Sequence, residues 1–372
     1  MKLILLKTNL IEGLNSVEKA VSSNQNLPIL NNIKINVIKN EGFIDLISTD
    51  LEMAITKKIS GKIISDGVAI VPFNLLNKII KNLNSEKINI EKKENKLLIN
   101  SDNYEAIINC ENEDDYPIIP DIQDKKEVLK IKKDLFKDVL SKTLVATSHS
   151  DIRPEINGIF IYYDGKNMMF AGTDSFRLIE KTIDYKNIES SFKEVNFTIP
   201  TKTAETLIKT LEEDDFINIY VDSNQILFET KNLKIISRIV DGKFPDYKNV
   251  IPKESKTDLT LDKNEILNAI KITSSFSGKA NDVVLNIIDK GRVLEVLASD
   301  NSLGENKYRV PINKIEGEKE DQTIIFNWRY IEEGIKIFDG DKIRFNIDES
   351  GKTVIKADSN KNLLYVVMPI RG

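Results

Sequence analysis

The 372-residue sequence has little of what enzyme and metal sites are usually built from: it contains one cysteine, one histidine and one tryptophan. The single cysteine, Cys110, cannot form an internal disulfide, so we expect a protein of a reducing compartment. His149 stands in a polar loop with no second histidine or nearby cysteine, and we expect no metal site there. Because glycine-rich phosphate loops and a G-x-S-x-G motif are also missing, we expect neither a cofactor nor catalysis.

Long apolar runs are missing as well. No stretch of the sequence approaches the roughly 20 apolar residues of a membrane-spanning helix, and the apolar run at residues 1–6 is shorter than a signal-peptide core. The net charge of −5 argues against a generic nucleic-acid-binding protein, although an acidic protein can carry one basic surface. We expect a soluble, cytoplasmic protein that does not bind membranes.

A threefold repeat organises the chain. Asp50, Asp174 and Asp300 each follow Thr or Ser at the end of an alternating apolar run, and they lie 124 and 126 residues apart. Repeats of this length are whole domains, because solenoid units recur every ~20–50 residues. Each repeat opens with a short strand and an amphipathic helix, then an antiparallel hairpin, and the same plan recurs in its second half.

The sequence therefore predicts an α+β fold of three similar domains, each made of two helix-plus-antiparallel-sheet halves. We expect the domains at residues 1–122, 123–252 and 253–372, with polar linkers at residues 121–126 and 253–258. Asn9, Asp134 and Asn264 stand near the predicted helix starts, where such side chains cap free N–H groups.

The three repeated aspartates leave two interpretations open. They could be the carboxylates of a metal-dependent nuclease, which needs such groups to converge within a few ångströms. Alternatively, each could stabilise a turn at a strand end by accepting hydrogen bonds from the backbone. The turn is favoured, because equivalent positions of separate domains should lie far apart.

For the function of the whole chain, a repeat scaffold unrelated to DNA is a further hypothesis.

Several segments together resemble one known family over the whole length of the chain. They are residues 237–247 (SRIVDGKFPDY), 365–371 (YVVMPIR), 173–178 (TDSFRL), 27–30 (LPIL) and 49–53 (TDLEM). These segments are similar to those of the β subunit of bacterial DNA polymerase III, the replicative sliding clamp family. The resemblance implies a non-catalytic processivity factor, a head-to-tail homodimer whose six domains close a ring around double-stranded DNA.

The resemblance also implies partners that dock by short peptides: the DNA polymerase III catalytic subunit, the clamp loader, other polymerases, ligase and mismatch-repair proteins. Their peptides would bind in a pocket between the second and third domains. The residues implied for this pocket are Ile156, Thr173, Ser175, Phe176, Arg177, Leu178, Pro245, Asn249, Val250, Val366, Met368, Pro369, Ile370 and Arg371. Arg177 would hold backbone carbonyls or an acidic group of the peptide. Without the resemblance, residues 363–370 would be interpreted as a strand that simply pairs in a sheet.

Two interpretations of the charged helix residues are open, contact with DNA phosphates or a solvated charged face, and the second explains each lysine about as well. The candidates are Asn24, Asn74, Lys78, Lys81, Lys137, Ser150, Arg153, Lys202 and Lys209. The sequence departs from the family where Ser175-Phe176 replaces the common Gly-His, and we expect Phe176 to narrow the pocket or alter its peptide preference. Asn249 replaces a frequent basic residue, and Pro154-Glu155 replaces two aromatic residues. The dimer contact is expected at the strand of residues 104–110 and the first helix of the third domain.

Overall fold

The computed structural model describes residues 1–22, 24, 26–122, 125–148, 152–211, 215–318 and 321–370, except for the side chains of Glu41 and Tyr185. The predicted residues Ser150 and Arg371, and His149, lie outside this part of the chain. The chain divides into two compact units. Unit 1 comprises Met1–Lys137, Lys186–Lys193 and Lys202–Ile239, and unit 2 comprises Asp138–Tyr185, Glu194–Thr201 and Val240–Gly372.

Six α-helices occur in the described residues, two for each predicted domain. They are α1 (Lys7–Val17), α2 (Phe73–Asn82), α3 (Lys133–Leu144), α4 (Thr201–Thr210), α5 (Lys263–Thr273) and α6 (Trp328–Lys336). The apolar spacing decides which face each helix buries: Leu10, Leu14 and Val17 of α1 are fully buried, as are Ile266 and Ile270 of α5. The predicted amphipathic helices are thus confirmed.

The prediction that Asn9 and Asn264 cap their helices is wrong. The Asn9 amide donates to the carbonyl of Ser60 at 3.2 Å. The cap of α5 is Asp262, whose Oδ1 accepts from the backbone N–H groups of Asn264 and Glu265 at 3.0 and 2.9 Å. The strand before α5 ends at Asp262 and the helix begins at Lys263. The helix therefore begins before Ile266, the first apolar residue of its amphipathic pattern.

Within the described ranges, each predicted domain contributes nine strands. The first domain has β1 (Lys2–Leu6), β2 (Asn32–Ile38), β3 (Phe43–Thr49), β4 (Met53–Ile59), β5 (Lys62–Ser65), β6 (Gly67–Pro72), β7 (Lys87–Lys93), β8 (Lys96–Ser101) and β9 (Tyr104–Asn109). The second has β10 (Leu129–Lys132), β11 (Gly158–Tyr163), β12 (Asn167–Thr173), β13 (Arg177–Asp184), β14 (Ile188–Ser190), β15 (Val195–Pro200), β16 (Phe216–Val221), β17 (Gln225–Glu229) and β18 (Leu233–Arg238). The third has β19 (Thr257–Asp262), β20 (Asp282–Ile288), β21 (Val293–Asp300), β22 (Gly304–Pro311), β23 (Lys314–Gly317), β24 (Gln322–Asn327), β25 (Lys342–Ile347), β26 (Thr353–Lys356) and β27 (Leu363–Val367). The expected linker at residues 253–258 is therefore shorter, because β19 begins at Thr257.

Unit 1 holds two antiparallel sheets. One has five strands in the order β5-β1-β7-β8-β9, and the other has nine in the order β14-β10-β16-β17-β18-β4-β3-β2-β6. The larger sheet crosses the predicted boundary between the first two domains, because β18 pairs with β4 at Ser237↔Met53 and Ile236↔Ala54. Apolar alternation predicts which face of a strand is buried but not which strand edges meet, so it does not predict that one sheet continues across this boundary.

Unit 2 also holds a nine-stranded sheet and a smaller one. The orders are β15-β11-β12-β13-β27-β26-β25-β19-β23 and β22-β21-β20-β24. Here the junction is the pair β13–β27, with Arg177 opposite Val367 and Leu178 opposite Val366. The larger core of the unit packs the two helices of the third domain onto its sheets, and a smaller buried cluster lies at the junction. The predicted hairpins are confirmed at β2–β3, β11–β12 and β20–β21.

The repeated aspartates stabilise turns, as the favoured interpretation predicts. Oδ1 of Asp50 accepts from the backbone N–H groups of Glu52 and Met53 at 3.0 and 2.7 Å. Oδ1 of Asp174 accepts from those of Phe176 and Arg177, each at 3.0 Å. Asp300 makes the corresponding bond to the backbone of Ser302 at 2.8 Å, and a second to its hydroxyl. Each turn closes the hairpin that leads into β4, β13 or β22.

Candidate functional site

The Asp174 turn brings several predicted pocket residues to the end of β13. Thr173 Oγ1 donates to the carbonyl of Arg177 at 2.7 Å and accepts from the backbone N–H of Ser175 at 3.1 Å. Met368, which follows β27, donates its backbone N–H to the carbonyl of Phe176 at 2.9 Å. The turn therefore holds residues 173–178 against the segment after β27.

Arg177 is engaged inside the protein. Its Nε donates to Oδ2 of Asp174 at 2.8 Å, its Nη1 donates to Glu333 of α6, and its side chain is 11% exposed. The guanidinium also lies over the ring of Tyr330. These neighbours fix the position of the guanidinium, and two of its nitrogens already bind carboxylates.

An aromatic group supports the segment around Pro245. The rings of Phe160 and Phe244 stack with centroids 4.9 Å apart, and Tyr247 meets Phe244 edge-on at 5.9 Å. The Tyr247 hydroxyl donates to Glu180 Oε2 at 2.5 Å. Burial, together with that carboxylate, raises the pKa of Tyr247 far above its usual range, so the phenol stays a donor. The segment is thereby fixed to the sheet at the mouth of a cavity.

The first cavity, which we call the Pro245 pocket, has a volume of about 260 Å³. Seven predicted residues line it: Thr173, Ser175, Arg177, Leu178, Pro245, Val250 and Met368. Three further lining residues were not predicted for it: Arg153, Asp246 and Tyr247. Leu178, Val250 and Met368 give its wall the branched and pliable apolar groups that suit an apolar anchor.

A second cavity, the Tyr330 pocket, has a volume of about 610 Å³ and shares Met368 with the first. The predicted residues Phe176, Pro369 and Ile370 line it, with Asn327, Tyr330, Ser350 and Lys352, which sequence reasoning missed. Tyr330 could have been identified as a candidate from the amphipathic spacing of α6. Phe176 is 61% exposed and lines this second cavity, so it does not narrow the Pro245 pocket.

Three predicted pocket residues take other positions. Ile156 and Val366 are buried in the cluster that includes Leu178 and Phe244, so they support the pocket from beneath. Asn249 is exposed, and its amide donates to Asp246 Oδ2 at 2.8 Å.

The residues predicted to contact DNA differ in whether their side chains are ion-paired or hydrogen-bonded within the protein. Asn74, Lys78 and Lys81 share the exposed face of α2 in unit 1, and within the described residues the two ammonium groups have no ion pair. Asn24 is exposed in the loop after α1. The exposed face of α2 carries cations and no carboxylate, which suits contact with phosphates.

The other candidates are engaged in the protein. Lys137 donates to the carbonyl of Leu211 at 3.0 Å, at the end of α4. Lys202 pairs with Asp50, and Lys209 lies 3.9 Å from Glu205 on the same helix. Arg153 lines the Pro245 pocket. Among the described residues no group of three or more His, Cys, Asp or Glu side chains is placed to hold a metal ion.

The chain matches three models of one family in succession. They describe the N-terminal, central and C-terminal domains of the DNA polymerase III beta subunit and match residues 1–120, 130–246 and 248–371. The chain belongs to this family. It has the family's three domains, and each is a mixture of helices and antiparallel sheet. No helix in the described ranges is both long enough and apolar enough to span a membrane.

Relatives match over their full length. The beta sliding clamp of Bacillus subtilis is 27% identical, with all of both chains covered. That of Staphylococcus aureus is 26% identical, with all of this chain and 99% of the relative covered. The crystal structure of the Bacillus subtilis DNA polymerase sliding clamp has a TM-score of 0.92 at 26% identity and covers all of this chain and 99% of its own. The beta chain from Streptococcus pneumoniae, at 22% identity, covers both chains fully and shows the same fold with a TM-score of 0.93.

Proposed function

We propose that this chain is a DNA sliding clamp: a non-catalytic, cytoplasmic ring that encircles duplex DNA and tethers a polymerase to it. The family match along the whole chain supports this function, and the names of the relatives agree with it. Tethering raises the effective concentration of a polymerase at its template, so it rebinds instead of diffusing away. We propose domain boundaries at residues 1–122, 123–252 and 253–372.

The strand order carries the proposal of a closed homodimer. In the two nine-stranded sheets, the ninth strand of one domain pairs with the fourth strand of a neighbouring domain: β18 with β4, and β27 with β13. The equivalent strands β9 and β22 end the two smaller sheets, and in the described residues each has one neighbour. Together the smaller sheets hold nine strands, so pairing β9 of one copy with β22 of another would complete a third nine-stranded sheet.

This pairing is head-to-tail, and two such contacts close a ring. The unpaired N–H and C=O groups of an exposed strand edge can pair with another chain. Strand β9 also carries the exposed apolar side chains of Tyr104 and Ile107. Ile272 of α5 is likewise exposed, in agreement with a contribution from the first helix of the third domain. We propose that these residues are covered in the dimer.

We propose that DNA contacts the ring through Asn74, Lys78 and Lys81 of α2, with Asn24, Lys202, Lys209 and Ser150 as further candidates. Lysine contacts to phosphates carry no sequence information and weaken with salt, which suits sliding. The net charge of −5 would discourage DNA from binding elsewhere on the surface.

We propose that partners dock through short peptides in the Pro245 and Tyr330 pockets. The two cavities share Met368 and are lined mostly by apolar groups, which supports two neighbouring apolar anchors on one peptide. The partners would be the DNA polymerase III catalytic subunit, the clamp loader, other polymerases, ligase and mismatch-repair proteins. Deleting residues 368–372 should abolish peptide binding and leave the dimer intact; unchanged binding would contradict this assignment.

The decisive experiment loads the protein onto nicked circular DNA with a clamp loader and then cuts the circle. A sliding clamp stays on the circle through gel filtration and leaves after linearisation. Retention on the linear product would contradict topological binding. Sedimentation gives a second test, because the dimer should have about twice the 42.3 kDa mass of the chain.

A further inference from the structure

A third cavity, which we call the Arg344 pocket, lies in unit 2 and has a volume of about 290 Å³. It shares no described lining residue with the two pockets above. Three cations line it: Arg344 on β25, Lys356 at the end of β26 and Lys361 in the loop before β27. Among the described lining residues Asp358 is the one carboxylate, so three positive charges and one negative charge leave +2.

The register of the sheet places like charges side by side at this cavity. Arg344 lies directly opposite Lys356 on the neighbouring strand. Directly opposite residues share a face of the sheet, and like charges in such positions destabilise it. The same row continues over two further strands to Thr260 and Lys314. Three of its four side chains are therefore cations, and an anion bound on this face would offset their repulsion.

Most of the positive charge is not neutralised inside the protein. Lys356 and Lys361 are exposed, and neither forms an ion pair with another described residue. Arg344 Nη2 donates to Asp358 Oδ2 at 2.7 Å. Because a guanidinium has five N–H donors, this single bond leaves four of them for a ligand.

The other polar groups of the lining keep nearby carboxylates away from the lysines. The Asn346 amide donates to Asp258 Oδ1 at 2.5 Å, and the Asn360 amide donates to Asp339 Oδ2 at 2.8 Å. None of the described lining residues is aromatic, so a nucleobase would have no ring on which to stack. The lining therefore favours a compact anion with several charges over single-stranded nucleic acid.

We propose that the Arg344 pocket binds the diphosphate group of a small phosphate compound. Arginine holds phosphate oxygens through paired, charge-assisted hydrogen bonds, and lysine binds them as a point charge. A diphosphate group concentrates several negative charges in a small volume, which matches the accessible donors of Arg344, Lys356 and Lys361. The group could come from free pyrophosphate or from the phosphate tail of a nucleoside triphosphate. This site goes beyond the proposed clamp function and does not depend on it.

The test measures dissociation constants by calorimetry at low salt and without divalent cations, with inorganic pyrophosphate, dTTP and a short oligothymidylate as ligands. Lys356→Gln and Lys361→Gln should each weaken pyrophosphate binding by about 3–5-fold, as for the loss of one exposed ion pair. Asp358→Asn removes the carboxylate and should strengthen binding by a similar factor, which a damaged fold would not do. Lys166→Gln is the matched control, because it removes the same charge from an exposed turn outside the lining and should bind as the wild type does.

The three ligands separate the sources of the anion. Binding of dTTP as tight as that of pyrophosphate would show that the phosphate tail of a nucleotide is accepted, whereas clearly weaker binding of dTTP would assign the site to free pyrophosphate. Tighter binding of oligothymidylate than of either would overturn the diphosphate assignment. Equal pyrophosphate affinities of the wild type and the two lysine variants, or no binding of pyrophosphate and dTTP to the wild type, would overturn the site.

Discussion

The guanidinium carbon of Arg177 lies 4.4 Å from the centre of the Tyr330 ring. One residue lines the Pro245 pocket and the other the Tyr330 pocket, so the stacked pair belongs to the wall between the two cavities. Because Asp174 and Glu333 hold the same guanidinium, the ion pairs that fix this wall also connect the Asp174 turn to α6.

Replacing Arg177 should therefore damage both stability and binding. We expect Arg177→Met to lower the free energy of unfolding by about 3 kcal/mol, because it leaves the largely buried Asp174 carboxylate without its partner. Urea denaturation measures this change, and peptide affinity measures the loss of the wall. Arg344→Met, which removes an exposed pair with Asp358, should change stability by less than about 1 kcal/mol. Equal effects of the two substitutions would show that the buried pairs contribute no more than a surface pair.

A charge on β9 should prevent ring closure. Ile107 is 57% exposed on this strand, so Ile107→Asp should leave the fold intact but place an unpaired carboxylate in the proposed interface. Sedimentation should then report a monomer. Ile118→Asp is the control, because Ile118 is 95% exposed and lies outside the strands; it should remain dimeric. A dimeric Ile107→Asp protein would argue against pairing through β9.

The lysines of α2 should account for part of the salt dependence of DNA binding. Each phosphate contact contributes about 0.9 to the slope of log affinity against log salt. Replacing Lys78 and Lys81 by alanine should therefore reduce the slope by nearly two for a short duplex. Lys166→Ala, at an exposed hairpin turn, should not change it. An unchanged slope in the double variant would remove α2 from the DNA-binding surface.

Cys110 should react slowly with alkylating reagents. The residue is half-buried, and burial raises the pKa of its thiol. Because the thiolate is the reactive form, less of it is present at pH 8 than in an unfolded chain. Iodoacetamide should therefore react faster in urea than with the folded protein, and the folded rate should keep rising above about pH 8.5. Equal folded and unfolded rates at pH 8 would contradict this.

The same reaction reports on the dimer, since Cys110 directly follows β9. We expect the wild-type protein to be alkylated more slowly than the Ile107→Asp variant at the same pH. A rate that does not change between the two would mean that the environment of Cys110 is unaffected by assembly.

Much of the fold could be predicted from local pattern. The helices, the hairpins and the turns at Asp50, Asp174 and Asp300 depend on apolar spacing and on side chains that bond to their own backbone. The pairings β18–β4 and β27–β13 could not be predicted, because edge pairing joins residues more than 150 positions apart whose side chains carry no mark of their partner.

Only part of the candidate site, as of the fold, could be predicted from the sequence. The family resemblance predicts most residues of the Pro245 pocket but not Arg153, because a charged loop residue has no local signal for what it faces. The resemblance predicts that Arg177 contacts a peptide, but it does not predict the ion pairs of Arg177 with Asp174 and Glu333. Tertiary contacts decide which groups the charged end of a long side chain meets, and the spacing of residues in the sequence does not encode those contacts.

The pairing of β13 with β27 also sets an order of events during synthesis. Residues 173–178 leave the ribosome long before residues 363–368, yet the Pro245 pocket is lined both by residues of the segment 173–178 and by Met368, which directly follows β27. Long-range strand pairs form late, because the intervening chain must be made and folded first. We therefore expect that a nascent chain cannot bind a peptide in the proposed docking pockets until its third domain has been translated, so an incomplete chain should not compete with complete chains for the proposed partners.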